Sequence, residues 1–187
     1  MKRFLCIWFA LMLSVAAQGK QSDPPDSIYH LEAQLTNQAG QLHGIDVHRG
    51  SPVLVTMFYG SCPVACPLLI DTLRAVERSI PDAQRKTLRV LMISVDPEHD
   101  MPPMLAKLAQ QRRIDTSRWT LARADAATVR KIAALLNVQY RKLPNGGYNH
   151  SSIITLLSPK GNIVMQSSVL GRSDEALLEA IRALDHE

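Results

Sequence analysis

The sequence predicts an α/β protein of the thioredoxin type: a central mixed sheet flanked by helices, with an N-terminal β-hairpin ahead of it. Three observations predict this. An apolar strand-like run, an amphipathic segment and a second apolar run follow one another over residues 53–95. A C-terminal hairpin and a closing helical segment come after them. Two cysteines stand directly behind the first apolar run, where the helical pattern begins. The first pattern implies two parallel strands joined by a right-handed helical crossover. A dithiol at that junction favours the thioredoxin type over another open α/β layer fold.

The chain has 187 residues, of which 46% are hydrophobic and 20% charged. That is ordinary globular composition and suffices for one domain with a substantial core. The formal charge is +4, and Lys2 and Arg3 supply two of those charges. Neither the remaining balance nor any basic cluster points to nucleic acid. Residues 1–17 read as a secretory signal: Lys2-Arg3, an apolar run from Phe4 to Val15, and Val15-Ala16-Ala17 as a small-residue cleavage site. The run is short for a membrane span, so a cleaved signal is expected rather than an anchor. Residues 18–26, with Pro24-Pro25, read as a flexible lead-in, and residues 27–187 as the folded domain. Cys6 would be discarded with the signal. The exported chain would then keep Cys62 and Cys66, a close pair in an oxidising compartment.

Taken in order, Tyr29 to Leu35 alternates as a half-exposed strand does, and Gln41 to Val47 returns from the turn Asn37-Gln38-Ala39-Gly40. His43 and His48 read as surface histidines. Pro52 opens the run Val53 to Tyr59, which only Thr56 interrupts, as in a strand buried on both faces. Leu69, Leu73, Val76 and Ile80 recur on one helical face, and Pro81 ends it. Leu88 to Val95 is a second buried strand. Pro102-Pro103 opens a helix to about Gln111. Trp119 to Ala122 is a short strand, and Asp125 caps a helix buried through Val129, Ile132, Ala133 and Leu136. Arg141 to Asn149 reads as a loop. Ser152 to Leu157 and Asn162 to Val169 flank the turn Ser158-Pro159-Lys160-Gly161. Ser173 caps the last helix, with Asp174 and Glu175 in its first turn.

Each cysteine precedes a proline, which biases it away from helical angles. Pro67 suits the first helical position, which puts Cys66 at the N-cap, where the helix dipole favours a thiolate. Cys62 then lies in the preceding loop. Such a pair can form a disulfide, exchange with one, or hold a soft metal. A bridge over so short a loop restricts the unfolded chain little, so stability is a weak reason for the spacing. Thiolates suit copper(I), and an added imidazole would also suit copper(II). His150, after the Gly146-Gly147 loop and just before a core strand, is one candidate imidazole. On position alone it could equally be a packed or surface residue. His99 is the rival, flanked by Glu98 and Asp100, which suit a solvated loop.

With these residues in hand, the sequence resembles the SCO/SenC family of copper-binding, thioredoxin-fold proteins from about Ile28 to the C-terminus. The carrying segments are Phe58-Tyr59-Gly60-Ser61-Cys62-Pro63-Val64-Ala65-Cys66-Pro67, Ser94-Val95-Asp96-Pro97-Glu98-His99-Asp100, Tyr148-Asn149-His150-Ser151-Ser152 and the turn Ser158-Pro159-Lys160-Gly161. The resemblance implies that Cys62, Cys66 and His150 bind a copper ion. It implies a role in assembling the binuclear copper centre of a respiratory cytochrome c oxidase, by delivering copper or by keeping the acceptor's cysteines reduced. Partners would be the copper-accepting oxidase subunit, another periplasmic copper chaperone or a thioredoxin-like reductant. Asp96 matches an acidic position near the family's site and would orient a ligand or tune thiolate charge. Asn149 stands where members often carry Asp. Members are often membrane-tethered, so the protein would be periplasmic, free or held at the inner membrane. The competing reading is a thiol–disulfide oxidoreductase that uses Cys62 and Cys66 without the histidine. A thiol peroxidase has no support beyond the cysteines. Zinc has one protein ligand too few for a closed structural site.

Overall fold

The computed structural model describes residues 23–63 and 65–184. The expected signal over 1–17, and residues 18–22 of the lead-in, lie outside them. In chain order the strands are β1 (Gln34–Asn37), β2 (Leu42–Gly44), β3 (Val53–Phe58), β4 (Arg89–Ser94), β5 (Trp119–Arg123), β6 (Tyr140–Lys142), β7 (Tyr148–His150), β8 (Ile154–Leu157) and β9 (Ile163–Ser167). The helices are α1 (Ala65–Arg78), α2 (Asp82–Thr87), α3 (Pro102–Gln111), α4 (Ala126–Leu135) and α5 (Glu175–Ala183).

Seven strands form one mixed sheet in the order β2-β1-β5-β4-β3-β8-β9. The expected parallel unit is present: β4 runs parallel to β3 and to β5. On the other side β8 runs antiparallel to β3, and β9 to β8. The strand read as doubly buried is so, since every residue of β3 is buried. Each such Val, Leu, Met or Phe stabilises the fold by about 1.5–3 kcal/mol relative to exposure. The one polar residue in the run, Thr56, donates its hydroxyl to the Ile153 carbonyl at 2.7 Å. That bond satisfies a buried group and ties β3 to the segment just after His150.

Several elements differ from expectation, each for a local reason. Tyr29 does not begin a strand. Residues 28–30 form a single 3-10 turn capped by the Ser27 hydroxyl, which accepts from the Tyr29 N–H at 3.2 Å. Ser27 also donates to the Lys160 carbonyl at 2.6 Å, docking the turn on the 158–161 hairpin. The expected N-terminal hairpin is shorter, β1 with β2, and β2 stops at Gly44 because the Val47 and Arg49 amides turn back to Gly44 and Asp46. Pro81 does not close α1; it stands before α2, a short helix that its few residues and weak pattern concealed. The last helix is capped by Asp174 rather than Ser173. Its carboxylate accepts from the Ala176 N–H and from the Ser167 hydroxyl. Asp125 caps α4 as read. His48 is not a surface group: it is half-buried and bonded to the Thr120 hydroxyl at 3.0 Å.

The largest difference concerns Arg141 to Asn149. It is not an open loop: β6 and β7 pair antiparallel as a separate two-stranded ribbon, with Tyr140 opposite His150. Gly146, at φ +83°, makes the turn. A period-2 pattern three residues long is too short to show in the sequence.

Candidate metal centre

Sheet topology brings three distant segments to one rim. The chain leaves the C-terminal end of β3 toward Cys62, and leaves β4, parallel to it, toward Asp96. Because β8 is antiparallel to β3, its start lies at that same end, with Ile154 opposite Thr56. His150, four residues before Ile154, therefore arrives beside the cysteines. One ligand atom each from Cys62, Cys66 and His150 lie within 4.8 Å of one another. The three expected ligand candidates are thus together. The rival, His99, is not among them. It is exposed, and its Nδ1 lies 2.9 Å from both Asp96 carboxylate oxygens.

The cysteines are arranged differently from the sequence reading. Ala65 already belongs to α1, so Cys66 is inside the helix rather than at its N-cap, and Pro67 is the third helical residue. Proline is tolerated there because the first-turn amides have no intrahelical acceptor. The Cys66 N–H instead points at Cys62 Sγ, 3.2 Å away. The helix N-terminus therefore supports negative charge on the Cys62 sulfur, the reverse of the expected assignment. Cys66 is 4% exposed, and burial pushes its thiol well above the ordinary range, opposed by a backbone hydrogen bond at Tyr59. Cys62 is partly exposed. Cys62 is thus the more accessible of the two and Cys66 the buried one.

His150 presents a defined tautomer. Its Nδ1 lies 3.3 Å from the Ser151 carbonyl, which can only accept, so Nδ1 carries the hydrogen and Nε2 keeps its lone pair. That Nε2 is buried without a hydrogen-bond partner among the described residues. Burial lowers the His150 pKa, keeping the ring neutral. A buried acceptor lacking a donor is costly unless something occupies it. Two thiols and one neutral imidazole nitrogen form a donor set that fits a soft thiophilic ion.

Around this trio stand Tyr59 and Tyr148, to which the sequence reading gave no role, and the acidic residues it named. Tyr59 packs against Tyr148, centroids 5.5 Å apart, and meets the His150 ring edge-on at 5.8 Å. Its hydroxyl lies within hydrogen-bonding reach of the Cys62 side chain. Asp96 is buried, and Tyr148 donates its hydroxyl to Asp96 Oδ1 at 3.4 Å. Asp96 thus touches the β7 strand that carries His150, and reaches the trio through Tyr148. Asp100 is buried rather than solvated, and accepts from the Gly60 N–H at 2.8 Å and from the Ser94 hydroxyl. Glu98 is exposed as expected and pairs with Lys142 of β6 at 2.9 Å. A cleft lined by Tyr59, Cys62, Pro63, Tyr148, Asn149 and His150 opens at the trio.

These features define a class: thioredoxin-type domains with a dithiol and a distant imidazole gathered at the C-terminal rim of the sheet. Within that class, the chain belongs to the SCO1/SenC family, whose pattern it matches over residues 23–185. It is similar to Bradyrhizobium japonicum ScoI with copper bound, at 25% identity and TM-score 0.67, over 82% of this chain and 96% of that one. A SCO1/SenC family lipoprotein from Bacillus anthracis aligns at TM-score 0.73 and 22% identity, covering 84% and 95%. BsSco, described as a Sco-family cytochrome c oxidase assembly protein with a disulfide switch, aligns at TM-score 0.69 and 19% identity, covering 89% and 99%. Among the described residues no helix is long and apolar enough to cross a membrane.

Proposed function

We propose that this chain is an exported copper carrier that holds the ion through Cys62, Cys66 and His150 and serves assembly of the binuclear copper centre of a respiratory cytochrome c oxidase. The observation that carries the reading is the buried, unpartnered Nε2 of His150 beside two thiols. Membership of the SCO1/SenC family supports it, as does copper in the Bradyrhizobium relative. Copper is cargo here. The protein's part is to keep the imidazole neutral and its tautomer fixed, to hold one thiol buried, and to leave Cys62 where an acceptor can reach it. The acceptor would be the oxidase subunit that receives copper, with a second periplasmic copper chaperone or a thioredoxin-like reductant upstream. The signal read at residues 1–17 supports export to the periplasm, and the lipoprotein relative is in keeping with an exported protein, free or tethered at the inner membrane.

Copper(II) added to the reduced protein is expected to give an intense thiolate-to-copper absorption band. His150→Ala should remove or shift that band while both thiols still react with a thiol reagent. Wild-type protein with no band would overturn the reading.

A second role on the same residues is favoured by the partly exposed Cys62 and the amide aimed at its sulfur. Cys62 thiolate attacks an acceptor disulfide and releases one acceptor thiolate. Cys66 then attacks the Cys62 sulfur of the mixed disulfide and releases the second. The acceptor gains two electrons and two protons, and this chain ends as the Cys62–Cys66 disulfide. Reduction of an oxidised acceptor peptide that persists in His150→Ala would favour this role. Its loss with the histidine would favour copper delivery alone.

A further inference from the structure

Asp100 is a carboxylate buried at 2% exposure, with no cationic side chain hydrogen-bonded to it among the described residues. Such a group is costly to bury unless its lone pairs are used. Here they are used on the cysteine turn. Oδ2 accepts the Gly60 N–H at 2.8 Å and the Ser94 hydroxyl. Gly60 lies inside the tight turn that delivers the first cysteine, closed by the Cys62 N–H on the Tyr59 carbonyl at 3.2 Å. The approach is close enough that a Cβ on Gly60 would collide with Asp100 Oδ1. The turn is therefore seated on the carboxylate and cannot move toward it.

The same carboxylate is tied to the histidine side of the site. Ser94 Oγ, which donates to Asp100, accepts from the Asp96 N–H at 2.9 Å. The Asp100 N–H returns to the Asp96 carbonyl at 3.0 Å. Asp96 Oδ1 then takes the Tyr148 hydroxyl, two residues from His150. A continuous set of hydrogen bonds thus runs from Gly60 through Asp100, Ser94 and Asp96 to Tyr148. The two segments that supply thiols and imidazole are both referenced to one short loop at the end of β4.

We propose that Asp100 is a positioning residue for the metal site: it fixes the Gly60–Cys62 turn and so sets where the Cys62 sulfur stands relative to Cys66 and His150. The proposal rests on the copper reading for one of its two readouts and is independent of it for the other. Two variants attack the contact from opposite sides. Asp100→Leu keeps the bulk and removes the acceptor, and Gly60→Ala keeps the acceptor and displaces the turn. In the reduced full-length protein, copper affinity measured by competition against a chromophoric chelator should fall about tenfold or more in each, with a shifted thiolate-to-copper band. In metal-free protein, the Cys62–Cys66 equilibrium with glutathione should change about tenfold, or ~30 mV. The double variant should lose little more than either single one, because both break one contact.

A folded variant with wild-type affinity, band and glutathione equilibrium would overturn the proposal. Failure of both variants to fold would assign Asp100 to folding alone and overturn it equally. If wild-type protein binds no copper, the copper reading fails. The glutathione equilibrium then still decides the role of Asp100.

Discussion

The ring of Tyr59 stands edge-on to the imidazole of His150, centroids 5.8 Å apart at 80°. That contact joins the strand leading into the cysteines to the ribbon carrying the histidine. Tyr59 also packs on Tyr148, which in turn packs on Tyr140. The β6–β7 ribbon lies outside the seven-stranded sheet, and a two-stranded ribbon is marginal without such packing. Tyr59→Ala should therefore cost about 3 kcal/mol and loosen the ribbon. Amide exchange over residues 140–150 should accelerate, and copper affinity should fall. Tyr59→Phe keeps the ring and loses the hydroxyl beside Cys62, so its exchange should match wild type. Equal exchange in the Ala variant would show that the ribbon does not depend on this ring.

The two thiols should differ in reactivity. Cys66 is buried, and burial disfavours its thiolate, while Cys62 is reachable and receives a helix amide. Thiolate and access both govern alkylation. In reduced metal-free protein at neutral pH, iodoacetamide should modify Cys62 at least about tenfold faster than Cys66. Mass spectrometry of the early adducts decides it. Faster labelling of Cys66 would restore the N-cap assignment that Pro67 had implied.

The order of core strands was legible in the sequence because β3 and β4 are buried along their lengths and read as continuous apolar runs. Cys62, Cys66 and His150 carry chemistry that the core does not need, and family resemblance joined them. Asp100 was misread because a carboxylate beside Glu98 and His99 looks solvated. Its burial depends on Gly60, forty residues earlier, and no local pattern reports that. The helix start was misplaced for a related reason. Proline statistics favoured Cys66 as cap, but the Cys62 sulfur supplies a first-turn acceptor that only three-dimensional proximity provides.

Stability should fall in mild acid, partly through His48. Its imidazole is half-buried against Thr120, and burial pushes its pKa down to about 4, with the charge of Arg89 acting the same way. In the unfolded chain it titrates near 6.5. The folded pKa is the lower of the two, so the unfolded state binds the proton more tightly. The contribution is complete above pH 6.5 and is lost as pH falls toward 4. Denaturant unfolding at neutral pH and near pH 4 should show a smaller drop in His48→Gln than in wild type. Identical drops would mean that the proton enters the folded state without penalty.

The helix that carries Cys66 is anchored by a charge at its far end. Glu77 is buried at 6% exposure, and its Oε1 accepts from Arg118 at 2.6 Å and from the Trp119 indole at 3.0 Å. Removing the carboxylate leaves the buried indole N–H without its acceptor and takes the buried counter-charge from Arg118, which keeps Asp115 at 2.9 Å and the Arg85 carbonyl at 3.1 Å. Glu77→Ala should destabilise by about 3 kcal/mol, which for a domain of this size lowers the melting temperature by roughly 6–12 °C. Glu77→Gln keeps an acceptor for the indole and should lose less. Because Glu77 lies eleven residues beyond Cys66, three turns along α1, the dithiol should be untouched in the folded variant. Thermal melts, set beside the glutathione equilibrium at 25 °C, separate the two effects. A lowered melting temperature with an unchanged equilibrium would make Glu77 an anchor of the scaffold alone. A shifted equilibrium would mean that strain at the β5 end of α1 reaches the cysteines, and the helix could not then be treated as a rigid support for Cys66.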